Sequence, residues 1–298
     1  MSDNASTNPN TGGAVAARRF ASRAARNTSA LAGGAVLLVV LFVALAAPLL
    51  APHDPYAHDL SRRLLPPIFY PGHDPSHLLG TDGFGRDYLS RLIYGARISL
   101  LIGVSVMLIS GLIGTVLGLV AGYFGGRIDQ AVMFVINTRL ALPVFLVAMA
   151  VVVVLGASLW GTIITLGLFL WDRFAVVVRS ATQQIVSQDY VTAAKSIGCS
   201  HGTILVHEIL PNVMNAVVVV GTIEMAYAIL LEAALSFLGF GVQEPTASWG
   251  LMLAQARQYL FFDAWLLYIP GAALFLVVLC INLFGDGLRD LLGLGEDA

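Results

Sequence analysis

The chain has 298 residues, of which 57% are apolar and 11% are charged, with a mean hydropathy of +0.82 and a formal net charge of −2. Soluble domains carry about 25% charged residues, so this composition excludes an ordinary soluble globule and indicates a membrane protein. The net charge identifies no partner, and we expect no nucleic-acid partner. The two cysteines, Cys199 and Cys280, are too few for a disulfide framework.

Six apolar segments have the length of roughly 20 residues that a helix needs to cross a bilayer core of about 30 Å. Backbone groups in lipid must be hydrogen-bonded within the segment, so each is predicted to be a helix. The predicted spans are residues 31–50, 98–124, 131–155, 160–178, 213–239 and 265–284. The fold class is therefore predicted to be all-α, a polytopic membrane protein with six transmembrane helices. Pro143 is expected to kink the third span, which Asn137 and Arg139 also interrupt.

Basic residues near the first span predict the orientation of the chain. The arginines that precede this span place the N-terminal tail, residues 1–30, in the cytoplasm. Six crossings return the C-terminal tail, residues 291–298, to the same side. Residues 51–97 then form an extracytoplasmic segment, and residues 98–290 form a five-helix core with a cytoplasmic loop at 179–212. The N-terminus also resembles a signal peptide, but its apolar run of about 20 residues is spanning length, so we expect no cleavage.

Glycines recur every four residues along the second span. They are Gly114, Gly118, Gly122 and Gly126. This spacing places them on one helix face, where small residues let a neighbouring helix approach closely in lipid. We interpret them as a helix-packing seam, and the alternative is an interface near a pore that slides during transport.

The loop at 179–212 contains signals for two short helices. Tyr190, Ala194 and Ile197 would share one apolar face of the first helix. Gly198 suits the C-cap of that helix, and a second helix is predicted to stop before Pro211.

The apolar face of the first loop helix needs a covering surface, which could be a protein groove or lipid headgroups. Helices that bind a membrane surface favour several basic residues on their polar face. Lys195 is the single lysine of the chain and the one basic residue of this helix. We therefore expect a protein partner.

The same loop resembles the EAA loop of ABC importer permeases, in which Glu-Ala-Ala is followed by three residues, a glycine and, after a fixed gap, Leu-Pro. Here the corresponding residues are Thr192-Ala193-Ala194, Gly198 and Leu210-Pro211. Further segments resemble, in order, the C-type subunit of dipeptide/oligopeptide permeases. They are residues 79–87, 92–97, 118–123, 232–241, 248–250 and 285–290.

The resemblance implies the type I ABC importer permease fold, a location in the inner membrane and ATP-driven import of short peptides by alternating access. It implies four kinds of partner: a second homologous permease subunit, two ABC ATPase subunits, an extracytoplasmic substrate-binding protein and membrane lipid. Nickel, opines, glutathione and sugars are alternative cargoes. The implied ATPase-coupling residues are Tyr190, Thr192, Ala193, Ala194, Ile197, Gly198, Leu210 and Pro211.

Several positions depart from the family pattern, among them Val176, where the family often has Arg, and Phe134 with Asn137, where an Arg/Asp pair is usual. Thr192 stands where the family has Glu, and Glu208 stands where an apolar residue is usual, which leaves the strength of ATPase docking open. Asp172 stands where the family often has Pro. This departure points to altered helix-end contacts or a different cargo.

The lysine count gives an argument that is independent of the resemblance. An ATP-binding P-loop needs Gly-Lys-Ser/Thr, whereas Lys195 follows Ala194. We therefore expect ATP and Mg²⁺ to be used by separate subunits, no cofactor on this chain and no enzymatic activity of its own. No catalytic residue is assigned, because the sequence contains neither His-Glu-x-x-His nor a nucleophile elbow.

Charged residues within the spans are functional candidates because they are costly in lipid. Glu224 and Glu232 are eight residues apart, which places them roughly 80° apart around a helix. We interpret them as pore-lining or helix-pairing groups. The alternative from a different class is a proton relay in an ion-coupled secondary transporter.

Four of the six histidines lie in the segment 51–97: His53, His58, His73 and His77. Two or more of them could bind a metal ion. Pro75 would break any helix that aligned His73 with His77, so we expect no metal site.

Overall fold

The computed structural model describes residues 28–292, and predictions about residues 1–27 and 293–298 lie outside the described residues. Within this range the chain is helical, and the extended pairing it contains is a single bridge between Thr81 and Asp87. The helices are α1 (Thr28–Leu45), α2 (Ala47–Leu50), α3 (Tyr88–Phe124), α4 (Gly126–Leu140), α5 (Val144–Leu155), α6 (Leu159–Phe169), α7 (Asp172–Val186), α8 (Asp189–Ser196), α9 (His201–Thr203), α10 (Leu210–Phe237), α11 (Trp249–Ala256) and α12 (Trp265–Leu291). A π-helical segment, Ile204–Ile209, joins α9 to α10, and short 3₁₀ turns occupy Leu60–Arg62 and Arg257–Tyr259.

Four helical rods are long and apolar enough to cross a bilayer: Tyr88–Phe124, Leu159–Val186, His201–Phe237 and Trp265–Leu291. Helices α4 and α5 make a fifth candidate if this bent pair counts as one span, and Ala30–Leu45 is a shorter apolar helix. The prediction of an all-α polytopic membrane protein is confirmed. Six crossings and cytoplasmic termini stay predictions.

The third predicted span is sharply bent. Its two halves, Gly126–Leu140 and Val144–Val154, meet at 84°. Pro143 lies at the junction with φ −62°, and a proline disfavours the helical conformation of the residue before it. The kink expected at Pro143 is therefore a complete break between α4 and α5.

Helix α3 begins at Tyr88, although the sequence placed the start of this span at residue 98. Asp87 caps the helix, because its side chain accepts a hydrogen bond from the Ser90 backbone N–H at 2.8 Å. The first turns contain Arg91 and Arg97, so a pattern based on apolar residues missed them. Part of the predicted segment 51–97 is therefore helical.

The second loop helix was predicted to stop before Pro211, and this prediction is wrong. The helical rod His201–Phe237 runs through the proline. Leu210 N–H donates to the Leu205 carbonyl five residues earlier, within the wider π-helical turn. Pro211 then falls in the first turn of α10, where a proline's missing N–H is tolerated.

Helix α3 is the central element of the bundle, and three apolar clusters lie along it. At its beginning, Tyr88 packs with Trp249 and Trp265. In the middle, Ile102 packs with Leu166 and Leu235 of α6 and α10. Near its end, Leu119 and Tyr123 join residues of α7, α8 and α10. Residues 51–87 form the connector between α2 and α3. Helix α3 therefore runs from this connector at one end to the short helix α8 at the other.

Candidate functional site

Helix α8 is attached to the bundle by one face. Val191 is fully buried and belongs to the same cluster as Ile204 and Ile209. The Lys195 ammonium lies 5.1 Å from the centre of the Tyr123 ring, within cation–π range. These contacts link α8 to the end of α3 and to the π-helical segment.

The opposite face of α8 is exposed and apolar. Tyr190, Ala193 and Ile197 follow helical spacing, and the exposed fraction of Ile197 is 81%. The sequence had placed Ala194 on this face. Ala194 is instead partly buried against the cluster of Val191, so Ala193 takes its place. We call Tyr190, Ala193 and Ile197 the α8 stripe.

The remaining predicted coupling residues lie on α8, at its C-terminal end and at the start of α10, where Leu210 packs against the cluster of Val191. Thr192 and Pro211 are exposed, and Leu210 is half-buried. Gly198 ends the helix with φ +83°, and the Cys199 N–H donates to the Ala194 carbonyl at 3.1 Å. This pattern is a Schellman-type C-cap, which a glycine adopts without strain. The predicted residues therefore lie together at one end of the molecule.

Three of the four glycines that recur every four residues along the second predicted span lie against α7. A Cβ added at Gly114 would lie 2.3 Å from the Trp171 carbonyl oxygen, and one at Gly118 would lie 2.7 Å from that of Ala175. Gly122 is similarly close to Thr182. Gly126 does not belong to this seam, because α3 ends at Phe124 and Gly126 has φ +53° with open space around it. We call Gly114, Gly118 and Gly122 the glycine seam.

The opposite end of α3 carries a buried ionic cluster that the sequence analysis did not identify. The Asp82 carboxylate lies 2.7 Å from Arg86 Nε and 3.4 Å from Arg91 Nε. Arg86 is 1% exposed and Arg91 is fully buried. Arg86 also reaches Glu244 Oε1 at 3.0 Å, so the cluster ties the start of α3 to the segment before α11. We call Asp82, Arg86 and Arg91 the connector cluster.

Two aspartates of the connector, the exposed Asp59 and the half-buried Asp74, form side-chain turns with the serines that follow them. The backbone hydrogen bond from Ser76 lowers the pKa of Asp74, and the side-chain hydrogen bond from Ser61 lowers that of Asp59. Both carboxylates therefore stay ionised in mildly acidic surroundings. They stabilise local turns and have no partner in the connector cluster that the structure describes.

Glu232 is fully buried at the end of α10 that faces α11. Its Oε1 accepts hydrogen bonds from Ser236 at 2.7 Å and from Ser248, the N-cap residue of α11, at 3.1 Å. Glu232 therefore joins two helices.

Glu224 is 1% exposed and its Oε1 lies 3.1 Å from Arg173 Nη1 on α7. A second ion pair joins Arg139 Nη1 to Asp172 Oδ2 at 2.9 Å. The two glutamates thus have separate partners. The local sequence pattern gave no signal for these ion pairs, because each joins residues of different helices.

The four connector histidines do not form one group. His73 Nδ1 lies 3.1 Å from the Tyr70 carbonyl oxygen, and His58 stacks on Phe84. His77 and His53 instead place Nδ1 at 2.8 and 3.6 Å from Asp87 Oδ1.

These three side chains have their ligand atoms within 4.8 Å of one another, which is compatible with a metal ion. Asp87 already caps α3 and pairs with His77, so the same geometry serves as a structural hydrogen-bond group. The expectation of no metal site stays a prediction.

Residues 114–294 match the family described as "Binding-protein-dependent transport system inner membrane component". The chain belongs to this family. Residues 16–67 match a second model, the N-terminal transmembrane domain of oligopeptide transport permease C. The family places the chain among inner-membrane permease components, in agreement with its multi-pass apolar helices.

Relatives of this permease family cover almost the whole chain. The "Di/tripeptide transport system permease protein DppC" of Pseudomonas aeruginosa is 43% identical over 268 residues, 90% of this chain and 88% of the relative. The "Dipeptide transport system permease protein DppC" of Haemophilus influenzae is 39% identical over 267 residues, 90% of each chain.

A solved structure of the inward-facing MetNI methionine ABC transporter contains a chain of similar fold. Its TM-score is 0.56 at 19% identity, and the match covers 68% of this chain and 97% of that chain. At this identity the likeness concerns the fold alone. The predicted fold of an ABC importer permease is thereby confirmed.

Proposed function

We propose that this chain is the permease subunit of an ATP-driven ABC importer that moves short peptides across the inner membrane by alternating access. The names of the relatives support the peptide cargo. The observation that carries the mechanism is the α8 stripe, an exposed apolar helix face held at one end of the spans. Burying such a face in a groove is a standard mode of helix docking.

In this mechanism an ATPase subunit holds the α8 stripe in a cleft and moves it during ATP binding. The buried side of α8 contacts Ile204 and Ile209 just before α10, and Lys195 contacts Tyr123 at the end of α3. Displacement of α8 therefore acts on two long spans. A coupling free energy of about 5.5 kcal/mol is sufficient to shift a two-state bundle from almost all closed to almost all open.

The full assembly of this proposal contains a second permease of similar fold, two ATPase subunits and a substrate-binding protein on the outer face. The α8 end is cytoplasmic, and the connector cluster lies on the outer side. ATP hydrolysis belongs to the partner subunits, because this sequence has no Gly-Lys-Ser/Thr motif.

An ion-coupled carrier is less well supported by the arrangement of the glutamates. A proton relay needs titratable groups in sequence, whereas Glu224 pairs with Arg173 and Glu232 binds Ser236 and Ser248. The two sites do not share a partner.

The test is peptide uptake into proteoliposomes that contain the full reconstituted complex and its binding protein. We expect uptake of trialanine to require ATP and to be insensitive to an uncoupler, in the wild type and in Glu232→Gln. Uptake that continues without ATP and stops with the uncoupler would identify a carrier. Mass spectrometry of the ligand that co-purifies with the binding protein would identify the cargo, and a nickel ion or an opine there would contradict the peptide assignment.

A further inference from the structure

Four charged side chains meet near the middle of three separate spans. Asp172 and Arg173 lie at the centre of the rod Leu159–Val186, and Glu224 lies at the centre of α10. Arg139 lies in the last turn of α4, next to the 84° bend. Charged groups at this depth are expensive in lipid and mark functional positions by default.

The backbone is irregular at the same level. Helix α4 ends at Leu140 and α5 begins at Val144, while Leu170 and Trp171 interrupt the rod between α6 and α7. Non-helical backbone at membrane depth is tolerated only when it is buried in protein or lines a water-filled cavity. In secondary transporters, substrate sites lie near the bilayer midplane where such discontinuous helices meet.

A cavity of about 390 Å³ lies at this junction. Asp172, Arg173 and Glu224 line it, together with the aliphatic side chains of Val176, Val220 and Ile223. This volume is within the range of about 300–1,000 Å³ that small-molecule sites occupy. The surface that these residues expose to the cavity is almost entirely apolar, so the cavity supplies a wall for the apolar part of a ligand.

Arg173 is the accessible member of this group. Its side chain is 52% exposed, whereas that of Glu224 is 1% exposed. Its guanidinium lies 4.9 Å from the centre of the Tyr227 ring and pairs with Glu224 at 3.1 Å. Among residues 28–292, Glu224 is the one carboxylate within ion-pair distance of Arg173.

The exposure of Arg173 points to water rather than lipid. A half-exposed guanidinium in the middle of a span would be costly against hydrocarbon, so in the proposed assembly we place its free side on the aqueous path. The guanidinium has five N–H donors in a planar fork, which matches a carboxylate in a bidentate geometry. Nη1 of the guanidinium pairs with Glu224 and the Tyr227 ring lies near Cζ, while about half of the side chain stays exposed.

We propose that Arg173 binds the carboxylate of the cargo, which for a short peptide is its free C-terminal carboxylate. Glu224 and Tyr227 act as positioning residues, and the aliphatic wall contacts the apolar part of the peptide. This assignment rests on the proposed function, because it names the group of the peptide that the permease contacts in its path.

The experiment compares single-turnover uptake of trialanine and trialanine amide by the reconstituted complex. The binding protein is loaded to saturation with either peptide, and mass spectrometry verifies the loading, so that its own affinity does not enter the rate. We expect the wild type to transfer the acid faster than the amide. In a variant without the Arg173 guanidinium, loss of a charge-assisted hydrogen bond should slow the transfer of trialanine by roughly tenfold to a hundredfold. The transfer rate of trialanine amide should stay unchanged.

The informative variant is the double substitution Arg173→Met/Glu224→Gln. It removes both charges of the pair, so no buried carboxylate is left unpaired, and the bundle should stay folded. Glu224→Gln alone should retain the preference for the acid. Arg62→Ala is the matched control, because Arg62 is also about half exposed (50%) and ion-paired, but lies in the connector.

An unchanged ratio of acid to amide rates in the double variant, with ATP hydrolysis intact, would overturn the role of Arg173 and leave the proposed function standing. A wild-type complex that transfers neither peptide but imports another solute would overturn the proposed function itself. The two failures are therefore distinguishable.

Discussion

The two ends of α3 differ in how their charged and apolar side chains are used. At the connector end, Arg86 and Arg91 are buried and paired with Asp82. At the α8 end, Tyr190 and Ile197 are exposed although they are large and apolar. The first end pairs its charged groups within the chain, whereas the second leaves an apolar surface for another molecule to cover. This difference indicates a rigid end and, in the proposed mechanism, a docking end.

The largest expected effect concerns the rigid end. Arg86→Met leaves Asp82 and Glu244 without their closest cation, and loss of one partner of a buried ion pair costs about 3–5 kcal/mol. Thermal unfolding of the purified permease in detergent should therefore begin at a clearly lower temperature. Arg62→Met is the control, because its pair with Asp59 is half exposed at 3.6 Å and such solvent-exposed pairs contribute little to stability. Equal stability of both variants would remove the distinction between the two ends.

The next effect concerns the close contact between α3 and α7 along the glycine seam. Gly118→Leu would drive its side chain into the Ala175 backbone, and overpacking of this kind costs about 1–3 kcal/mol. We expect lower stability in detergent and reduced uptake. Gly202→Leu is the control, since nothing lies within 4 Å of a Cβ at Gly202. A permease that tolerates leucine at Gly118 would show that α3 and α7 do not need to approach closely.

A third variant changes the docking end without disturbing the fold. Ile197→Asp places a charge in the α8 stripe, where the side chain contacts solvent and its substitution should leave unfolding unchanged. If the stripe is a docking surface, loss of one apolar anchor should weaken ATPase binding by about tenfold or more. The measurement is the affinity of purified ATPase subunits for the permease in nanodiscs.

Val206→Asp is the matched control for this variant, since Val206 is also a branched aliphatic residue and is 54% exposed on the π-helical segment. We expect its effect on ATPase affinity to be small. Equal losses in both variants would indicate a diffuse surface, and no loss in Ile197→Asp would contradict the docking assignment.

The same comparison shows which parts of the structure the sequence could predict. The length of the apolar segments predicted the long rods, and the spacing of Gly114, Gly118 and Gly122 predicted a shared face. The start of α3 at Tyr88 was missed, because buried arginines resemble a polar loop when only hydropathy is read. The passage of the helix through Pro211 depends on a π-helical turn, for which no simple sequence signal exists.

The site was harder to predict than the fold. Helical spacing placed an apolar face on α8, but whether Ala193 or Ala194 faces outward depends on the burial of Val191 against other helices. The pairing of Arg173 with Glu224 joins residues of two different spans. Local patterns contain no information about such contacts, although the cost of a charge in lipid had already marked Glu224 as a candidate.

The smallest expected effect tests how firmly the docking end is built. Ser200 Oγ accepts the Thr203 backbone N–H at 3.2 Å and caps the rod that continues into α10. Ser200→Ala should cost about 1 kcal/mol, as loss of an N-cap does. Because the cap is exposed and lies at the end of the rod, the loss should appear as faster hydrogen exchange at residues 201–206 rather than as a lower unfolding temperature.

Ser187→Ala is the control, since the Ser187 hydroxyl bonds the Gln184 carbonyl and caps no helix start. Uptake should change little in either variant if the α8 stripe, rather than the helix start beside it, receives the force. Exchange that accelerates throughout α10 would instead mean that the docking end and the long span unfold as one unit.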